Sequence, residues 1–175
     1  TWGGSLIRPE ATGYGVVYFA EKMLEFQNKS IKDKKVVISG SGNVAQYAAE
    51  KVIQLGGTVI SLSDSSGFIF DPEGINTEKL NYIMEIKNVK RKRISEYKLK
   101  FPKTEFHENK SPWLIKCDIA LPCATQNELT HLDAKKLIDN KCICVCEGAN
   151  MPSTPEAINL FHKNKILFAP GKASN

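Results

Sequence analysis

The sequence lacks the long apolar segments that a membrane or secreted protein needs. None of its 175 residues belongs to a run of about 18 apolar residues, and its first residues form neither a basic nor an apolar leader. We therefore expect a cytoplasmic protein with no membrane partner. The chain begins with Thr1 instead of Met, and we expect it to be part of a longer polypeptide.

Cysteine is scarce and poorly spaced for a disulfide framework or a zinc site. The five cysteines are odd in number and form no CxxC pair. Cys142, Cys144 and Cys146 alternate with apolar residues, so a strand would place all three on one face. Because zinc would need a fourth ligand and wider spacing, we interpret them as buried thiols in a protein from a reducing compartment.

Titratable residues form no obvious catalytic cluster. The three histidines are scattered among polar residues, and we expect them at the surface. The net charge of +5 is concentrated in the stretch Lys87–Arg93. Such a stretch could contact the phosphates of a nucleic acid, but it contains no aromatic residue for base stacking. We therefore favour a solvated helix end and expect no nucleic-acid partner.

Short apolar runs rich in β-branched residues alternate with longer amphipathic stretches along the whole chain. This alternation predicts an α/β, Rossmann-like doubly wound fold, in which helices cover both faces of a mostly parallel sheet, as one domain over residues 1–175. The predicted strands are 35–39, 58–63, 117–121, 142–146 and 166–168. The predicted helices are 8–27, 45–55, a segment from a Thr77 cap through Ile86, 94–101, 132–139 and 154–163.

A glycine-rich motif lies between the first predicted strand and the following helix. It reads G-x-G-x-x-A from Gly40 to Ala45. The first glycine permits a sharp turn, and the second lets a pyrophosphate approach the backbone N–H groups at the helix start. A tight turn without a ligand is the alternative. We predict that a dinucleotide pyrophosphate is bound by Gly40, Ser41, Gly42, Asn43 and Val44.

An acidic residue is expected about 20 positions after such a motif, at the end of the next strand, where it binds the adenosine ribose. Asp64 occupies that place. A carboxylate there favours NAD, because it repels the 2′-phosphate of NADP. The hydroxyls of Ser65 and Ser66 could instead donate to that phosphate, with positive charge from Lys87 or from the 90–93 cluster if it folds back over this edge. These residues alone leave NAD and NADP open.

Several segments together resemble the cofactor-binding half of a glutamate dehydrogenase of the small hexameric type. They are GSLIRPEATGYG (4–15), SGSGNVAQ (39–46), SDSSG (63–67), PCATQNE (122–128), GANMP (148–152) and APGKASN (169–175). The resemblance implies reversible oxidative deamination of L-glutamate to 2-oxoglutarate and ammonium, with hydride carried by a nicotinamide. It also implies a homohexamer, a preceding domain that supplies the catalytic lysine and aspartate, and a following helical region. We accordingly expect this chain to bind cofactor without turnover, and we assign it no catalytic residue.

The resemblance also assigns roles at the nicotinamide end of the site. Thr12 would lie near the nicotinamide amide, and Asn175 would help to hold the carboxamide. The turn Ala124-Thr125-Gln126 and the side chain of Asn150 would adjoin the neighbouring ribose.

The same resemblance bears on the adenosine end. It places that ribose at Asp64 and Ser65. Ser65, Ser66 and Lys87 resemble the members that prefer NADP, so we expect NADP in preference to NAD.

Two other functions fit the same sequence features. A related dehydrogenase acting on leucine, phenylalanine or valine would share this architecture and reaction. A cofactor-sensing module without an enzymatic partner is the other alternative.

Overall fold

The computed structural model describes residues 8–175, and the part of the 4–15 segment before Arg8 lies outside the described residues. Strands β1 to β7 are Lys35–Ile38, Thr58–Asp64, Gly67–Ile75, Glu105–Glu108, Ile119–Leu121, Cys144–Cys146 and Leu167–Ala169. Helices α1 to α7 are Ala11–Glu25, Asn43–Gln54, Thr77–Met84, Tyr97–Lys100, His131–Asp139, Pro155–Lys163 and Gly171–Ser174. Within this part of the chain, no helix is long and apolar enough to span a membrane.

The seven strands form one sheet in the order β4-β3-β2-β1-β5-β6-β7. Strands β2, β1, β5, β6 and β7 are parallel, and β3 and β4 add an antiparallel edge. The predicted mostly parallel α/β fold is therefore confirmed. The sequence analysis missed β3, which contains Pro72 and two glycines, and β4, whose sequence EFHE is short and polar. Strand β4 depends mainly on pairing with β3, whereas β3 also buries Phe68 and Ile69, an apolar pair that the sequence analysis overlooked.

Apolar side chains cover both faces of the sheet, as predicted. One core lies under α1, α2 and α3, and the other lies under α5 and α6 and contains the buried Trp113. Cys144 and Cys146 belong to the first core, whereas Cys142 precedes the strand and belongs to the second. The prediction that all three cysteines share one face was therefore wrong for Cys142.

Several helix starts differ from the predicted ones: α1 begins at Ala11 instead of residue 8, and α4 at Tyr97 instead of residue 94. Asn76, and not Thr77, caps α3: its side chain accepts a hydrogen bond from the N–H of Lys79 at 2.9 Å. Helix α2 begins at Asn43, two residues before the predicted start, so the second half of the glycine motif is already helical. Beyond α3, residues Glu85–Val89 form a π-helical turn that the periodicity did not indicate.

Helices α1 and α2 cross at very close range where Gly13 faces the first turns of α2. A Cβ atom at Gly13 would lie 2.7 Å from both the amide nitrogen of Ala48 and the carbonyl oxygen of Val44. Because both are backbone atoms, relief would require the helices to separate. This contact holds α1 against the glycine motif at the start of α2.

We predict that Gly13→Ala lowers the free energy of unfolding by more than about 2 kcal/mol, because overpacking outweighs the gain in helix propensity. Gly15→Ala is the matched control, since its Cβ would find its nearest atom at 3.4 Å. That variant should be neutral or stabilising. Urea unfolding measures both changes, and equal stabilities of the two variants would contradict the close crossing.

Candidate dinucleotide-binding site

The candidate site lies at β1, where the direction in which successive strands are added to the sheet reverses. From β1 the chain crosses through α2 to β2 on one side, and it later returns to β5 on the other side of β1. The loops after these parallel strands diverge at such a point and leave a crevice at the carboxyl ends of the strands. Two clefts open there, of about 550 and 610 Å³, and both are lined by Ala124 and Thr125.

The first glycine of the motif is fastened to the end of β2. The N–H of Gly40 donates to Oγ of Ser63 at 2.8 Å, and the carbonyl of Gly40 accepts from the N–H of Ser63 at 3.0 Å. Gly40 has φ +83°, and a Cβ there would lie 3.0 Å from the carbonyl oxygen of Cys123. Only glycine meets both constraints, and the turn is consequently fixed between β2 and β5.

The second glycine leaves room for a ligand. Gly42 is the N-cap of α2 and is exposed, no side chain caps the helix, and a Cβ at Gly42 would meet nothing within 4 Å. The uncapped start of a 12-residue helix beside open space is suited to bind a phosphate group. The geometry therefore fits the predicted pyrophosphate contact. The side chain of Asn43 is engaged elsewhere, donating to the carbonyl of Pro9 at 2.6 Å.

Asp64 is fully hydrogen-bonded. One carboxylate oxygen accepts from the N–H and the hydroxyl of Ser66, and the other accepts from Nζ of Lys87 and the N–H of Ile94, both at 2.8 Å. Burial alone would raise the pKa of Asp64, but the bonds from Lys87, Ser66 and Ile94 outweigh it and lower the pKa to about 2. The structure thus neutralises the charge that would repel a 2′-phosphate.

The end of the basic stretch Lys87–Arg93 folds back toward Ser65, next to Asp64. Nη1 of Arg93 donates to the hydroxyl of Ser65, which lies at the mouth of the 550 Å³ cleft. The sequence analysis named the 90–93 cluster as a possible source of charge at this edge, and within that cluster it is Arg93 that reaches Ser65. Lys90 pairs with Glu85 at 2.9 Å and Lys92 with Glu96 at 3.3 Å. Because these lysines form ion pairs with nearby glutamates, the structure does not favour a basic surface that binds nucleic acid.

A half-buried glutamate organises the turn between the two clefts. Oε1 of Glu128 accepts hydrogen bonds from the hydroxyl of Ser39 at 2.8 Å and from the N–H groups of Ala124 and Thr125 at 3.0 and 3.3 Å. Burial raises the pKa of Glu128 against the lowering effect of these bonds. The sequence analysis gave Glu128 no role, because an acid after a polar turn is an ordinary surface feature.

The 610 Å³ cleft gathers the residues predicted for the nicotinamide end. Its lining includes seven predicted residues, namely Thr12, Val44, Ala124, Thr125, Gln126, Asn150 and Asn175. Nδ2 of Asn175 donates to the carbonyl of Gly148 at 3.3 Å and lies 3.5 Å from Oδ1 of Asn150. Five predicted residues line neither cleft: Lys87, which contacts Asp64, and the motif residues Gly40, Ser41, Gly42 and Asn43.

A buried acid fixes this end of the site. The carboxylate of Glu147 accepts from the N–H of Ser153 at 3.2 Å and from that of Gly171 at 2.8 Å. It thereby ties the loop that carries Asn150 to α7, the helix that Asn175 directly follows. Both amide side chains are consequently held at the rim of one cleft.

The 610 Å³ cleft is lined by hydroxyls and amides and by the buried thiol of Cys123, whose pKa is raised by burial. The described residues that line it include no lysine, carboxylate or histidine, and residues 8–175 contain no cluster of His, Cys, Asp and Glu that could hold a metal. Such a surface can bind and orient a neutral aromatic amide. It provides no group to accept a proton from a substrate.

We predict that Asp64→Asn removes a pH-dependent part of the folding stability. Because the folded pKa lies below the ordinary value of 3.8, the carboxylate stabilises the fold above that value, and the contribution disappears as the pH falls through about 2. The variant should be less stable by roughly 2 kcal/mol at neutral pH, with the difference shrinking in acid. Urea unfolding over this pH range measures it. Exposed Asp139→Asn is the control, and a pH-independent Asp64 difference would contradict the assignment.

Comparison with known proteins shows the family of this chain. A sequence model of the family described as Glutamate/Leucine/Phenylalanine/Valine dehydrogenase matches residues 3–175. The chain is 59% identical over 174 residues to a glutamate dehydrogenase of Bacteroides thetaiotaomicron, covering 99% of this chain and 39% of that protein. It is 54% identical over 175 residues to the NADP-specific glutamate dehydrogenase of Haemophilus influenzae, covering 100% of this chain and 39% of that protein.

A solved structure shows the same fold. The crystal structure of Plasmodium falciparum glutamate dehydrogenase superposes with a TM-score of 0.94 at 46% identity, covering 99% of this chain and 37% of that one. The chain spans about two fifths of the length of the curated relatives it matches. Matched by the family's sequence model over nearly its whole length, the chain belongs to the Glutamate/Leucine/Phenylalanine/Valine dehydrogenase family.

Proposed function

We propose that residues 1–175 form the NADP-binding domain of a glutamate dehydrogenase, which interconverts L-glutamate with 2-oxoglutarate and ammonium. The open, uncapped start of α2 at Gly42 carries this proposal, because it is suited to a pyrophosphate beside a cleft that can hold a nicotinamide. Relatives that are more than 50% identical are named glutamate dehydrogenases, which favours glutamate over leucine, phenylalanine or valine as substrate.

The edge near Asp64 supports NADP over NAD. The Asp64 carboxylate is paired with Lys87, while the hydroxyl of Ser65 and the guanidinium of Arg93 lie together at the cleft mouth. A 2′-phosphate would meet donors and a positive charge there. The relatives' names agree in most cases: those from Haemophilus influenzae and Escherichia coli are NADP-specific, and one from Bacteroides fragilis is NAD-specific.

The chain's own part in the reaction is binding and orientation. When bound, the nicotinamide supplies the site that accepts or gives the hydride. Thr12, Asn150 and Asn175 would hold its ring and ribose through hydroxyl and amide hydrogen bonds, so that one ring face is offered to substrate. The proton acceptor comes from elsewhere in the complete enzyme. We expect a catalytic lysine and aspartate from a preceding domain, and a homohexameric, cytoplasmic enzyme.

The proposed function predicts which cofactor binds more tightly. NADPH should bind at least tenfold more tightly than NADH, and Arg93→Gln should weaken NADPH binding about tenfold while leaving NADH unchanged, because Arg93 would contact only the 2′-phosphate. Arg91→Gln, which alters a neighbouring exposed arginine, is the matched control. Calorimetric titration at fixed salt measures all three proteins.

Tighter binding of NADH would reverse the cofactor assignment and make Asp64 the ribose anchor. Equal losses for both cofactors in Arg93→Gln would remove Arg93 from the 2′-phosphate site. If the folded protein bound neither nucleotide, these residues would not suffice to form the site.

The proposed function also predicts whether this chain alone turns over substrate. The 175-residue chain should bind NADPH but show no glutamate-dependent reduction of NADP, because the described lining of the nicotinamide cleft lacks a general base. Absorbance of the reduced nicotinamide measures this, with an intact relative such as the Haemophilus influenzae enzyme as the positive control. Turnover by the isolated chain would contradict the expectation that catalytic residues lie outside it.

A further inference from the structure

The π-helical turn after α3 brings two consecutive side chains to two different parts of the nucleotide site. In this turn the N–H of Lys90 donates to the carbonyl of Glu85 at 2.9 Å, a span of five residues. Single π turns of this kind occur preferentially at functional sites. Lys87 reaches Asp64 at the end of β2, and the next residue, Asn88, reaches α2.

Asn88 and Gln46 form a reciprocal amide pair across 42 residues of sequence. Nε2 of Gln46 donates to Oδ1 of Asn88 at 3.0 Å, and Nδ2 of Asn88 donates to Oε1 of Gln46 at 2.9 Å. Gln46 is buried, at 2% exposure, whereas Asn88 is exposed. Losing one partner would leave a buried amide partly unsatisfied.

The pair has a fixed orientation because the Gln46 side chain has a second partner besides Asn88. Its Nε2 also donates to the carbonyl oxygen of Ser41 at 2.7 Å. Since a carbonyl accepts only from a donor, Ser41 decides which end of the Gln46 amide faces the loop, and Gln46 in turn decides the orientation of Asn88.

The hydrogen bond that fixes the Ser41 carbonyl also orients the N–H group of Gly42. In a trans peptide the C=O of one residue and the N–H of the next point in opposite directions across the same plane. With the Ser41 carbonyl held toward Gln46, the N–H of Gly42 is directed away from Gln46. Gly42 is the uncapped start of α2, where its missing Cβ leaves open space.

We propose that Gln46 and Asn88 are positioning residues that hold the Ser41–Gly42 peptide plane in the orientation that offers the Gly42 N–H to the cofactor pyrophosphate. This inference rests on the proposed nucleotide-binding function. It links the segment that neutralises Asp64, through Lys87, to the loop that binds the pyrophosphate, through Asn88. Neither side chain needs to touch the cofactor.

The test compares NADPH with adenosine 2′-monophosphate, which keeps the 2′-phosphate but lacks the pyrophosphate and the nicotinamide ribose attached to it. Asn88→Ala should weaken NADPH binding roughly five- to tenfold, as the loss of a supporting hydrogen bond allows, and should leave the affinity for adenosine 2′-monophosphate within about twofold. Asn81→Ala, which removes an exposed amide from α3, is the matched control and should change neither affinity. A general disturbance of the Lys87 segment would weaken both ligands together.

Two further measurements address the mechanism directly. In the nucleotide-free protein, the amide NMR resonance of Gly42 should shift in Asn88→Ala and stay in place in Asn81→Ala. Adding Asn88→Ala to Gln46→Met should cause little further loss of NADPH affinity, because the pair acts as a unit. Thermal unfolding verifies that each variant is folded. If Gln46→Met does not fold, the Asn88→Ala comparison is still valid.

Unchanged NADPH affinity in a folded Asn88→Ala variant, or an equal loss of both ligands, would overturn the inference while leaving the proposed function intact. If the unaltered protein bound neither NADPH nor adenosine 2′-monophosphate, the proposed function itself would fail and the inference with it.

Discussion

Loops at the carboxyl edge of the sheet have backbone N–H groups that no strand or helix satisfies, and the whole site depends on three carboxylates that accept them. Asp64 accepts from Ile94 and Ser66, Glu128 from Ala124 and Thr125, and Glu147 from Ser153 and Gly171. A buried N–H without an acceptor is costly, so each carboxylate fixes its loops in one arrangement. The exposed residues that would face a nucleotide are thereby positioned from beneath.

This arrangement separates the residues that hold the site from those that would contact a ligand. The holding groups are buried or half-buried and accept internal hydrogen bonds, four at the Asp64 carboxylate and two at that of Glu147. The contacting groups, such as Gly42, Thr125 and Asn150, are exposed at loop ends. A nucleotide would thus meet a surface whose donors are already oriented, which reduces the ordering cost of binding.

Local features of the sequence sufficed to predict the parallel core of the fold and the phosphate-binding turn. A strand, a G-x-G-x-x-A turn and a helix follow one another, and the roles of Gly40 and Gly42 depend on backbone freedom and the missing Cβ at those positions. Asp64 was identifiable because it ends the next strand. The amide and hydroxyl residues of the nicotinamide cleft followed from the family resemblance, and the fold brings seven of the predicted residues to one cleft.

The sequence by itself therefore determined the α/β architecture and the glycine turn, because each arises from residues close together in the chain. Only the tertiary structure decided which side chains support them. Gln46 meets Asn88 across 42 residues, and Ser39 meets Glu128 across 89. The polar strand β4 forms only by pairing with β3, and Arg93 joins the site only because the π turn and the segment after it fold back toward Ser65. No local pattern encodes such pairings, since their free energy comes from partners that chain folding alone brings together.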